Sequence, residues 1–183
     1  MNFTFNARKA TQVAALFITK EGGSLNIMKL VKLVYLLDRL SISKRGIPVL
    51  GGDYFSMKNG PVSSESLDLI NSGELYGQPT DWSNFISSRQ VHTVGLLADP
   101  GTDRLSESEM EFVNTIYAEH GRRDQFQLRD WCHENCAEWH PITQGRKEIS
   151  VQNILDVAGW DQNEISFFIR EAQVGAELDA MLA

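Results

Sequence analysis

The stretch that decides the fold is IMKLVKLVYLLD, residues 27–38. At 100° per residue, its aliphatic side chains cover most of the circumference of a helix, whereas Lys29, Lys32 and Arg39 fall together on one side. A helix with so wide an apolar surface normally lies at the centre of a core. We therefore expect a central helix, with the three cations forming either a solvated face or an electrostatic contact stripe.

Asp38 interrupts the apolar arc of this helix. A carboxylate there needs a hydrogen-bonding partner or must take up a proton. We expect Asp38 to be buried and bonded to a backbone N–H group or a basic side chain, near Lys58 or the turn at Gly60 and Pro61. A catalytic or ligand-binding role is the alternative.

The rest of the chain predicts more helices than strands. Ser24 or Asn26 can cap the central helix, Gly46 can end it, and Ser106 begins a capping box with Glu109. Helices are predicted at about 7–20, 26–44, 64–70, 106–116, 127–138, 151–158 and after 164, strands at 53–58 and 90–97, and a loop at 72–84. The fold class is mainly α: a single helical domain with a central apolar helix and a small antiparallel β hairpin or sheet.

Charge is unevenly distributed along the chain. The net charge is -7, but residues 1–60 carry +6 and the remainder -13. Such a split favours complementary surfaces within the fold or towards a partner, and it differs from the basic footprint of a dedicated nucleic-acid binder. No stretch is long and apolar enough for a membrane span, and the first residues lack the apolar segment of a secretory signal. A cytoplasmic protein is expected.

One short segment invites a chemical interpretation. Cys132, Cys136 and His140 would align on a continuous helix, where they are weak candidates for zinc ligands. The Cys-x3-Cys spacing is unlike that of structural zinc sites, and Pro141 favours an end of the helix before His140. Packing of buried thiols is the preferred interpretation, and a cysteine–histidine nucleophile lacks a recognisable third member. There is no phosphate-binding glycine loop and no His-Glu-x-x-His motif, so no enzyme and no cofactor are predicted.

Three segments together resemble the Panacea antitoxin-domain family, which includes the SocA-like antitoxins. The first is KLVKLVYLLD at 29–38, the second GIPV at 46–49 followed by GDYFSMKNGPV at 52–62, and the third LRDWCHE at 128–134 followed by Trp139. The resemblance runs from about residue 25 to about residue 160, and it departs from the family at Asn59 and over 72–88. The positions that carry it are Lys29, Leu30, Lys32, Leu33, Tyr35, Asp38, Lys58, Gly60, Pro61, Val62, His133 and Trp139.

The resemblance implies one antitoxin domain over residues 1–183, with a core at about 7–172 and a short C-terminal tail. It implies that the chain neutralises a co-encoded protein toxin by direct binding, without catalysis. The alternatives are a proteolytic adaptor that delivers its partner to a Clp-type protease and a DNA-binding autoregulator. Nucleic acid is the less expected partner, and the oligomeric state is left open.

The C-terminal tail allows two interpretations. Residues 179–183, DAMLA, are small and apolar. They are either the last turn of a docked amphipathic helix or a tag of the kind that Clp-type proteases engage.

Overall fold

The computed structural model describes residues 3–168 and 170. The elements in chain order are α1 (Ala7–Lys20), β1 (Ser24–Asn26), α2 (Ile27–Arg45), β2 (Tyr54–Met57), β3 (Gly60–Ser63), α3 (Ser64–Ser72), β4 (Glu74–Leu75), β5 (Gln78–Pro79), α4 (Trp82–Phe85), β6 (Thr93–Gly95), α5 (Glu107–His120), α6 (Gln125–Asn135), β7 (Lys147–Ile149) and α7 (Val151–Val157). Residues 162–168 are also helical. The protein is mainly α with small antiparallel sheets, as the sequence predicts.

Helix α2 is the centre of the fold, and its ends lie where the sequence places them. The Asn26 side chain accepts hydrogen bonds from the N–H groups of Met28 and Lys29, and Gly46 ends the helix in a left-handed conformation with φ 77°. Helices α1, α3, α5, α6 and α7 all contact α2. Its aliphatic side chains therefore join a single hydrophobic cluster of the buried residues.

The largest of the sheets has three strands in the order β3-β2-β7, all antiparallel. Strands β2 and β3 form a tight hairpin in which Met57 pairs with Gly60, and β7 pairs along the other edge of β2. Strands β1 and β6 form a second pair, and β4 and β5 a third. The predicted small antiparallel sheet is confirmed, but only β2 lies where a strand was predicted. Strand β3 occupies the expected turn at Gly60 and Pro61, and β7 was not predicted.

Two predictions between residues 72 and 97 are wrong in part. The segment 72–84, expected to be a loop, contains β4, β5 and the start of α4. The strand expected at 90–97 is only Thr93–Gly95, because Gln90 and Thr93 close a tight turn in which Val91 has φ 57°. Within the described ranges, no helix is both long enough and apolar enough to cross a membrane. The C-terminal tail and the part of the last predicted helix beyond residue 170 lie outside those ranges.

Candidate functional site

Asp38 is fully buried and bonded within the fold, as expected. Its Oδ1 accepts hydrogen bonds of 2.8 Å from the N–H groups of Val49 and Leu50, and its Oδ2 accepts one of 2.8 Å from the hydroxyl of Tyr54. Burial raises the pKa of Asp38 to about 6, because desolvation outweighs these hydrogen bonds. Of the two expected kinds of partner, the backbone N–H group is confirmed. The pairing with Lys58 is wrong, because Lys58 is exposed.

Lys29 and Lys32 are buried, so the expectation of a solvated or contact stripe is wrong for both. Lys29 pairs with the carboxylate of Glu21 and donates a 2.7 Å hydrogen bond to the carbonyl of Gly121. Lys32 donates a 2.7 Å hydrogen bond to the carbonyl of Pro61, and burial lowers the pKa of Lys32 to about 8. Helices α5 and α6, which pack against α2, come from late in the sequence, so the residues next to Lys29 and Lys32 in the sequence do not show this burial.

Gly60 brings the β2–β3 turn against Lys32. Its φ is +98°, and a Cβ atom there would lie 3.1 Å from Lys32 Nζ and 3.3 Å from His133 Nε2. A side chain at this position would therefore meet both backbone strain and two neighbouring polar atoms. The glycine of the family motif Lys-x-Gly-Pro therefore has a steric reason in this chain.

His133 and Trp139 close the other side of this turn. Their rings stack with centroids 4.0 Å apart and an interplanar angle of 6°, and Trp139 Nε1 donates a 3.0 Å hydrogen bond to the carbonyl of Met57. His133 Nε2 is buried and has no hydrogen-bond partner among the described residues. Burial, followed by the charge of Lys32, lowers the pKa of His133 and favours the neutral imidazole.

Glu138 is a buried carboxylate that sequence analysis did not single out. It accepts hydrogen bonds of 2.6 Å from the hydroxyl of Tyr35 and 2.7 Å from Arg39 Nε. The ring of Tyr35 meets that of Tyr54 edge-on, with centroids 6.0 Å apart. Through this contact, the Glu138 group adjoins the Asp38 group in the core.

The proposed alignment of the zinc candidates does not form. Helix α6 ends at Asn135, and Cys136 has the non-helical angles φ -100° and ψ 83°. Cys132 and Cys136 are buried free thiols, and His140 is exposed. Over residues 3–168 and 170, no group of three or more candidate ligands is placed to hold a metal ion. A hydrogen bond from Cys136 lowers the pKa of the Cys132 thiol, but that thiol is fully buried.

A cleft of about 530 Å³ lies beside the β2–β3 turn. It is bounded by the start of α2, the β2–β3 turn, α3, the segment before β6 and the start of α6. The lining residues are Asn26, Ile27, Met28, Val31, Lys32, Met57, Lys58, Asn59, Gly60, Val62, Leu67, Asn71, Arg89, His92, Gln125 and Phe126. Its volume is within the range of about 300–1,000 Å³ that is common for ligand sites.

The family positions divide between the cleft and the core. The cleft is lined by Lys32, Lys58, Gly60 and Val62. The Pro61 carbonyl accepts a hydrogen bond from Lys32. The core holds Leu30, Leu33, Tyr35 and Asp38, which are all 0% exposed. Most of the signature positions are therefore structural, and those at Lys32 and residues 58–62 shape the surface of the cleft.

Sequence analysis missed three residues of the cleft: Arg89, His92 and Phe126. Arg89 and His92 lie in or beside the turn that was predicted to be part of a strand. Phe126 follows the N-cap of α6 and is 52% exposed. Single exposed apolar side chains are common on protein surfaces, so no signal in the sequence marked Phe126 as part of a cleft.

A comparison with protein families agrees with the resemblance seen in the sequence. The family described as Antitoxin SocA-like, Panacea domain, matches residues 30–140. No curated protein matches the chain significantly, and no solved structure does. The matched range contains the central helix, the β2–β3 turn and the His133–Trp139 stack. The chain therefore belongs to the SocA-like Panacea antitoxin-domain family.

Proposed function

We propose that this chain is an antitoxin that neutralises a co-encoded protein toxin by direct protein–protein contact. The observation that carries the proposal is the family match over residues 30–140, which spans the central helix and the signature turn. The mechanism is occlusion or sequestration of the toxin's active surface. It needs no chemical step by this chain, and its cysteines and His133 have packing contacts that account for their positions.

The cleft is the surface through which we propose that the toxin docks. Its floor is apolar and built from α2 and the β2–β3 hairpin, and the aromatic ring of Phe126 stands at its edge. Aromatic and apolar side chains on a concave surface are typical anchors of protein interfaces. The buried network around Lys32 and Pro61 keeps this surface rigid, which lowers the entropy that binding costs.

Four of the nine lysines and arginines among residues 1–60 are ion-paired within the fold, and this favours a protein partner over DNA. Arg8 pairs with Asp81, Lys9 with Glu109 and Arg39 with Glu138. Cations held by carboxylates contribute little to phosphate binding. We propose that the chain acts in the cytoplasm, where its two free thiols would remain reduced.

The test is rescue of growth. The reading frame beside this gene is induced in cells with and without the chain, and the two proteins are then co-purified. We expect induction alone to stop growth, co-expression to restore it and a stable complex to form. If the neighbouring frame is not toxic, or if the chain neither rescues growth nor binds its product, the proposal is wrong.

Two variants locate the docking surface. Phe126→Glu places a charge at the edge of the cleft, and Ile47→Glu places one at the opposite end of α2; both side chains are exposed. We expect Phe126→Glu to lose rescue and Ile47→Glu to keep it. Equal rescue by both would put the interface elsewhere on the chain without affecting neutralisation itself.

The adaptor mechanism makes a different prediction in the same assay. A chain that delivers its toxin to a Clp-type protease would rescue wild-type cells only, and the toxin would accumulate in cells that lack the protease. Occlusion predicts rescue in both strains with the toxin present at similar levels.

A further inference from the structure

The cleft combines an apolar floor with cations that the fold leaves without counter-charges. Ile27, Val31 and Val62 lie in its floor, and Lys32, Lys58 and Arg89 contribute positive charge. No Asp or Glu is found among the described lining residues. This composition is unusual in a chain whose 24 acidic residues outnumber its 17 lysines and arginines.

The hydrogen-bond partners of Lys32 and Arg89 are neutral. Lys32 donates to the Pro61 carbonyl, and Arg89 donates to the Val91 carbonyl and to Asn71 Oδ1 at 2.8 and 3.2 Å. In the described part of the chain, no carboxylate lies within ion-pair distance of Lys32, Lys58 or Arg89. By contrast, the ion pairs of Arg8, Lys9, Lys29 and Arg39 neutralise most of the other cations of the first 45 residues.

The cations come from separate segments of the chain that line one cleft. Lys58 stands on the β2–β3 turn, whereas Arg89 stands on the segment before β6, and the apolar floor lies in the same cleft. Both residues are exposed, so a bound anion can approach their charged groups. Lys32 lies in the wall of the cleft, where it donates a hydrogen bond to the Pro61 carbonyl. While its side chain is protonated, it adds a positive electrostatic potential there.

From this geometry we infer that the cleft binds an acidic peptide segment with apolar side chains, presented by the partner protein. The apolar side chains of the segment would enter the floor, and its carboxylates would pair with Lys58 and Arg89. This inference rests on the proposed function, because under that proposal the segment belongs to the toxin. The cations set the association rate and the choice of partner, and the apolar contacts supply the greater part of the affinity.

The experiment is a selection from a random peptide library against the purified full-length chain. The peptides recovered are sequenced, and the most frequent one is synthesised with a fluorescent label for titration by anisotropy. We expect the recovered peptides to contain more Asp and Glu than the unselected library, together with Leu, Phe, Ile or Trp. We expect Lys58→Glu/Arg89→Glu to weaken binding of the labelled peptide by at least about tenfold at low salt, and high salt to reduce this difference.

The matched control is Lys44→Glu/Arg122→Glu. It makes the same change in net charge at two exposed residues outside the cleft, Lys44 being at the other end of α2. This control should bind the peptide as the wild type does. Thermal melting checks that each double variant folds, and Lys58→Gln/Arg89→Gln replaces the charge reversal if that variant does not.

The inference is overturned if no peptide is recovered, if the recovered peptides carry no acidic excess, or if the cleft and control variants lose binding equally. None of these results bears on growth rescue, which tests the proposed function separately. Rescue without acidic peptides would leave an antitoxin with a different docking chemistry. Acidic peptide binding without rescue would leave a peptide-binding cleft on a protein that is not an antitoxin for the neighbouring frame.

Discussion

The hydroxyl of Tyr54 donates a 2.8 Å hydrogen bond to Oδ2 of Asp38 in the core of the protein. Together with the two backbone N–H groups that bind Oδ1, it surrounds a carboxylate that is cut off from water. The pKa of this carboxyl is nevertheless raised to about 6, because the loss of hydration outweighs the donors. Asp38 thus connects β2 and the segment after α2, and the free-energy cost of burying its carboxylate depends on pH.

The first prediction concerns the pH dependence of stability. Between about pH 4 and about pH 6, folded Asp38 retains a proton that the unfolded chain has lost, so the free energy of unfolding falls as the pH rises. The two pK units between the ordinary value and the raised one correspond to about 3 kcal/mol. Asp38→Asn cannot ionise and should lack this loss. Urea unfolding of both proteins from about pH 4 to about pH 7 measures the difference.

The control for this series is Asp53→Asn, which removes a carboxylate at an exposed position. Its free energy of unfolding should follow that of the wild type across the whole range. Parallel curves for the wild type and Asp38→Asn would show that the buried carboxyl titrates normally.

The second prediction concerns Gly60. Gly60→Ala should destabilise the protein by about 2–5 kcal/mol, because strain at φ +98° adds to the contacts of the new methyl group with Lys32 and His133. Gly23→Ala is the matched control, since Gly23 has φ +101° and nothing within 4 Å of its Cβ position. It should cost only about 1–2 kcal/mol, the backbone part alone. Equal losses in chemical denaturation would mean that the close approach at Gly60 is unimportant.

The third prediction concerns the buried carboxylate of Glu138. Arg39→Met leaves this carboxylate with Tyr35 but without its counter-charge, and it should cost about 3 kcal/mol. Adding Glu138→Gln removes the charge and keeps a hydrogen-bond acceptor for Tyr35. The double variant should therefore be more stable than Arg39→Met alone, by a margin measured in a double-mutant cycle. Additive losses would show that the two groups do not interact.

The fourth prediction concerns metal. Because α6 ends before Cys136, the two cysteines and His140 do not share a helix face. We expect that incubation with EDTA leaves the melting temperature unchanged and that elemental analysis finds no stoichiometric zinc. A fall in melting temperature that zinc alone reverses would restore the metal interpretation.

Local signals made the central helix and its ends predictable. Asn26, Gly46 and the Ser106 capping box act within a few residues of themselves, so a single sequence is enough to place them. Burial of Asp38 was predictable for the same reason, because its position on the apolar arc depends only on helix geometry. The strand at 53–58 was also predictable from its own residues, but Gly60 and Pro61, which were expected to form a turn, begin β3.

What the sequence did not reveal depends on contacts between distant segments. Periodicity places Lys29 and Lys32 on one side of α2, but it cannot show that Glu21, Gly121 and Pro61 would satisfy them there. The cleft is assembled from five separate segments, so no local pattern marks Arg89 or Phe126 as neighbours of Lys58. The pairing of Asp38 with Lys58 was wrong because no local pattern shows which of the two expected partners, a basic side chain or a backbone N–H group, the fold brings to the carboxylate.

The central position of α2 has a consequence for synthesis of the chain. Its apolar surface leaves the ribosome early, but α5, α6 and α7, which cover much of it, are made only after residue 106. During that interval the segment has only part of its native contacts available, those with α1, β1, β3 and α3, and the rest of its apolar surface is exposed. Binding by a general chaperone at this stage would protect the chain from aggregation, and slow translation between residues 45 and 106 would lengthen the period of exposure.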